Sequence, residues 1–103
     1  MKIIISLFIF MTFNFANDGK VVFEKYCWGC HHQTSLAFGP SFKEVANKRT
    51  KEQIILHINN PKESFQSLGY KRTVMPSFDL TAQEYEAISE YILSFKSSLQ
   101  GQL

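Results

Sequence analysis

Near the start of a 103-residue chain, Cys27, Trp28, Gly29, Cys30 and His31 stand consecutively, and no other feature limits the fold as strongly. Two thiols three positions apart on a helical turn lie on the same side, and the imidazole that follows sits just beyond them. Such a pair serves as a redox dithiol, as half of a zinc site, or as the attachment point of a haem, whose iron the histidine then reaches. These are the only two cysteines in the chain, so zinc lacks a second pair. No thioredoxin-like strand pattern surrounds them, and the histidine follows directly. The spacing therefore predicts one haem c joined covalently to Cys27 and Cys30, with His31 on the iron. A chain of this size has a modest core, and a prosthetic group is one of the staples that make up the shortfall.

The first sixteen residues have a different character. Lys2 precedes an apolar stretch from Ile3 to Met11, and Asn14-Phe15-Ala16 ends it. This reads as a secretory signal peptide cut after Ala16, leaving 17–103 as one domain. A spanning helix would want about 20 apolar residues. Asn14 is an atypical residue three places before a cut, so an uncleaved N-terminal anchor is the alternative, and only then is a membrane a partner. Export predicts a periplasmic location. The chain carries 11 Lys+Arg against 9 Asp+Glu, one basic residue fewer once Lys2 departs. That balance excludes a nucleic-acid binder.

Helical signals follow in order. Asn17-Asp18-Gly19 offers N-cap chemistry for a helix from Lys20 into the cysteines, with Val22, Phe23, Tyr26 and Cys30 on one face. Ser41 caps a short helix over 42–47. Thr50 and Gln53 have capping-box spacing, and Asn59-Asn60-Pro61 stops the helix they open. From Pro61 to Asp79 no period persists, which predicts a long irregular segment that wraps something. Thr81 and Glu84 form a second capping box before Tyr85, Ile88, Ile92, Phe95 and Leu99, an amphipathic helix ending near Lys96. No alternating run long enough for a sheet occurs, so the expected class is all-α.

A second iron ligand follows by elimination. Haem iron in electron carriers is usually closed by methionine or histidine. Met1 and Met11 leave with the signal peptide, and Met75 remains, followed by Pro76, which holds it extended. The competing readings are Met75 as adaptable core filler and His57, on the third helix, as the ligand. His32 adjoins His31 and cannot easily reach the opposite face. Aromatic residues make up 15% of the chain, and Phe23, Tyr85 and Phe95 read as core.

With these residues in view, the chain resembles the class I c-type cytochromes. The resemblance rests on Cys27-Trp28-Gly29-Cys30-His31, Gly39-Pro40, Met75-Pro76-Ser77-Phe78 and the terminal amphipathic helix. It implies a small cytochrome c fold, with three to five helices around one haem and the first and last helices crossing where Gly19 and Phe23 meet Ile88 and Tyr91. It further implies thioether bonds at Cys27 and Cys30, His31 as proximal ligand oriented by the Pro40 carbonyl, and Met75 as distal ligand. Trp28, Arg49 and Tyr70 are the candidates for holding the haem propionates. The function so implied is periplasmic electron transfer with no catalysis of its own. The alternatives are a haem-bearing, electron-accepting subunit of a larger periplasmic oxidoreductase and, further off, a peroxidase-like or gas-sensing haem protein. Lys43, Lys48, Arg49, Lys71 and Arg72 form a candidate docking rim for redox donors and acceptors; a plain solvated surface is the other reading.

Overall fold

Five α-helices and one π-helical turn make up the regular structure of residues 15–97, the part that the computed structural model of the chain describes. The apolar run of the expected signal peptide lies outside these residues. No strand occurs among the described residues.

Helix α1 spans Phe15–Val22 and continues as the π-turn Phe23–Cys27. Asn17, Asp18 and Gly19 thus lie inside α1, where a cap was expected. The reason is tertiary. A Cβ on Gly19 would stand 2.3 Å from both Ala87 O and Tyr91 Cβ, so glycine is what lets α1 cross the last helix at backbone distance. The helix penalty of Gly, roughly 1 kcal/mol, is offset by the apolar surface this crossing buries. Val22 and Phe23 are buried there against Ala87, Ile88, Tyr91 and Ile92.

Helix α2, Phe42–Lys48, begins at Ser41, whose hydroxyl accepts the Glu44 amide hydrogen bond at 3.1 Å. Phe42 and Ala46 carry its buried side. Helix α3, Lys51–Asn59, opens on the Thr50–Gln53 capping box and buries Ile54 and Ile58. Pro61 ends α3 and starts the one-turn helix α4, Pro61–Ser64, at the position where its missing N–H costs nothing. The segment expected to be irregular from Pro61 on therefore begins with a helix and hydrogen-bonded turns, and loses regular structure only from about Tyr70 to Thr81.

Helix α5, Ala82–Leu93, opens on the Thr81–Glu84 capping box. It stops short of Lys96 because Phe95 and Lys96 turn to i→i−3 bonds with Ile92 and Leu93, at 3.1 and 3.0 Å. That tightening sets the Phe95 ring edge-on against Tyr91, centroids 5.1 Å apart. Lys51 bridges α3 to Glu86 and Glu90 of α5. All three groups are partly exposed, so the packed apolar faces do most of the joining.

Candidate haem site

The π-turn delivers the thiols. Trp28 N–H bonds Phe23 O at 2.9 Å, five residues back, which fits one extra residue into the last turn before the cysteines. The expected common face is divided as a result: Val22 and Phe23 are buried, Tyr26 and Cys27 half-buried, and Cys30 exposed. Burial and, secondarily, the neighbouring Cys30 push the Cys27 thiol up to about 11. Reactive thiolates need the opposite shift, which Cys27 does not show.

His31 follows with its ring held on one side by the backbone. Nδ1 donates to Pro40 O at 2.7 Å, which requires the proton on Nδ1, so that in the neutral ring Nε2 is the nitrogen with the lone pair. Gly39 makes room, because a Cβ there would meet His31 Cε1 at 2.5 Å. Buried Phe42 lies nearly parallel to the ring, centroids 5.5 Å apart. His32 is exposed and closes its own turn, its Nδ1 accepting from the Thr34 and Ser35 amides at 3.1 and 3.0 Å.

Met75 is half-buried and packed against the core, next to Val74, which is 74% exposed. Its own N–H is satisfied by Thr73 Oγ1 at 3.2 Å. Three residues later, Phe78 N–H bonds Ile58 O at 3.1 Å, Phe78 O accepts from the Tyr85 hydroxyl at 2.7 Å, and the Phe78 ring sits edge-on to Tyr26 at 5.8 Å. Sequence reasoning placed Tyr85 only as core. The period of α5 locates its ring, and nothing in the sequence reveals what its hydroxyl reaches.

His57 is held elsewhere. Its Nδ1 pairs with Ser64 Oγ at 2.7 Å, and because that hydroxyl already donates to Asn60 O at 2.8 Å, Nδ1 is the donor. Its ring faces Tyr70 at 5.6 Å. Burial first, then the charges of Arg49 and His31, hold this imidazole below the ordinary histidine value. Arg49 stacks on the same Tyr70 ring at 5.1 Å and donates through Nη2 to Leu68 O, while its Nε is buried without a partner. Of the three propionate candidates, Arg49 and Tyr70 come together, and Trp28 stands apart at 71% exposure.

A buried guanidinium nitrogen with no acceptor, an imidazole with one nitrogen tied to backbone, and two thiols on the adjoining turn suit an anionic, metal-bearing ring better than any substrate cleft. They describe a helical domain built to hold a haem. The cytochrome c family model matches residues 16–96, and the chain belongs to that family; its architecture is that of the class I cytochromes. No curated protein and no solved structure matches the chain. Membership implies haem-based electron transfer, and an electron carrier in place of an enzyme as such.

Proposed function

We propose that this protein is a periplasmic carrier of single electrons, in which Cys27 and Cys30 hold one haem c through thioether bonds and His31 and Met75 are the axial ligands. The observation that carries this reading is the His31 Nδ1 to Pro40 O hydrogen bond at 2.7 Å, which commits the ring to offering Nε2 to a metal. When bound, the haem supplies a one-electron Fe(III)/Fe(II) couple. The protein's part is to fix the ligands and limit water. Phe42 lies against the imidazole and Gly39 leaves room for it, Pro76 keeps Met75 extended, and the buried Arg49 Nε offers a positive partner to carboxylates.

The signal-peptide character of residues 1–16 supports the periplasmic location. Docking to redox partners falls to Lys43, Lys71 and Arg72, all exposed. Lys48, also exposed, stays in that rim despite its surface pair with Glu44 at 2.9 Å, while Arg49 is half-buried and bonds Leu68 O. Such a rim favours a partner with an acidic face. A second reading, a haem subunit of a larger oxidoreductase, draws on Trp28, Leu36 and Phe38, large apolar side chains 71%, 81% and 78% exposed on either side of His31 in the chain. Co-purification with a catalytic partner would favour it; a lone species in sedimentation favours the free carrier.

The test is the optical spectrum of the exported protein, oxidised and reduced, for wild type and Met75→Ala. Covalent haem that resists acid-acetone extraction, with a weak long-wavelength iron–sulfur band that disappears in Met75→Ala, is the expected result. Extractable haem would overturn the attachment, and a band absent from wild type would overturn methionine ligation.

A further inference from the structure

We infer that the Tyr85 hydroxyl is the clamp that holds the Met75 loop in register with the rest of the fold, making Tyr85 a positioning residue for the distal ligand. The inference rests on the reading of Met75 as that ligand.

Little else holds the loop. Between Lys71 and Leu80 the described hydrogen bonds are few: Met75 N–H to Thr73 Oγ1, Phe78 N–H to Ile58 O, Tyr85 Oη to Phe78 O, and Leu80 N–H to Tyr85 Oη at 3.4 Å. The first is local and fixes no position relative to the helices. Of the three that tie the loop to a helix, two pass through one oxygen.

That oxygen is fully used. A phenol has one donor and two acceptor sites. The donor goes to Phe78 O, one acceptor site takes Asn59 Nδ2 at 2.8 Å from the end of α3, and the other takes the longer Leu80 bond. Asn59 matters because it leaves the hydroxyl proton one direction in which to point, towards Phe78. The group therefore joins α3, α5 and the loop at one atom, three residues downstream of Met75. The Tyr85 ring packs partly on the core and lines a shallow groove with Glu52, Ile55, Leu56 and Asn59, so phenylalanine fits the same space.

Tyr85→Phe separates packing from clamping. The holoprotein of wild type, Tyr85→Phe and Asn59→Ala is titrated with denaturant, following the long-wavelength iron–methionine band and the far-ultraviolet helix signal in the same samples. Loss of the two loop bonds should raise the methionine-off population on the order of tenfold, from the usual net strength of such bonds. The band midpoint then falls well below the helix midpoint, and Asn59→Ala shows the same gap in smaller degree. Amide exchange at Phe78 and Leu80 should quicken by a similar factor while that at Ile88 stays unchanged. Should Tyr85→Phe fail to fold, Asn59→Ala alone carries the comparison. Band and helix midpoints that move together, or not at all, overturn the clamp while leaving methionine ligation intact. A wild type with no band overturns ligation and clamp together.

Discussion

Replacing Gly19 by alanine sets two forces against each other, and the geometry says which wins. Alanine at an exposed position inside a helix is favoured over glycine by roughly 1 kcal/mol. At Gly19 the new methyl would stand 2.3 Å from Ala87 O and Tyr91 Cβ, about 1 Å short of the 3.4 Å at which ordinary contact begins, and 3.1 Å from Ala87 C. Two of those atoms are backbone, so no side chain can swing aside. The helices must part, along the most extensive helix–helix contact among the described residues, where Val22, Phe23 and Ile88 are buried. Overpacking of this kind costs about 1–3 kcal/mol, and an unyielding carbonyl places it at the upper end. The net expectation is a destabilisation of about 2 kcal/mol, which for a domain of this size lowers Tm by roughly 8–16 °C. Denaturant unfolding of the holoprotein, wild type against Gly19→Ala, measures it. A midpoint equal to or above that of wild type would show that helix propensity alone acts there, and would refute the close crossing.

Three further outcomes are expected. Gly39→Ala drives a methyl into the His31 ring at 2.5 Å, so the Pro40 bond should break and the haem spectrum should change, with helix content retained; an unaltered spectrum would count against the role of that bond. His57 has its proton affinity lowered in the folded state, so the unfolded chain binds a proton more readily, and stability should fall as pH drops below the ordinary value of 6.5 and level off below the folded value. His57→Gln should flatten that slope, and chemical denaturation across the window checks it. Thr81→Ala removes the hydroxyl that accepts the Glu84 amide at 3.1 Å and should cost about 1 kcal/mol by the same assay.

Those signals that act within a few residues were legible in the sequence. Ser41, Thr50 and Thr81 each cap the helix their spacing announces, because a cap needs only its own first turn. The all-α class could be read the same way, whereas the crossing of the end helices followed only from the resemblance to the cytochromes c. What misled was chemistry that serves two purposes. Asn17-Asp18-Gly19 has the composition of a cap, yet Gly19 is needed inside the helix for close approach, and long-range packing overrode the local signal. Pro61 reads as a stop and is also a start. The π-turn has no sequence signature, since one shifted hydrogen bond separates it from an ordinary turn. At the site, residue types were visible and their partners were not: Arg49 reads as a surface charge until its burial is known, and the Tyr85 hydroxyl has no reach until Asn59 and Phe78 are brought to it by the fold.

The crossing of α1 and α5 also has a bearing on time. The helices that contact each other most are the first and last of the described fold, so their pairing closes a loop of nearly the whole domain before it returns any free energy. A chain that emerges amino end first holds α1 without its main partner until α5 arrives. Through that interval the turn carrying Cys27 and Cys30 has little to pack on, and both thiols face solvent. The contact with the largest loop to close therefore also bears on how long the attachment residues stay open to chemistry.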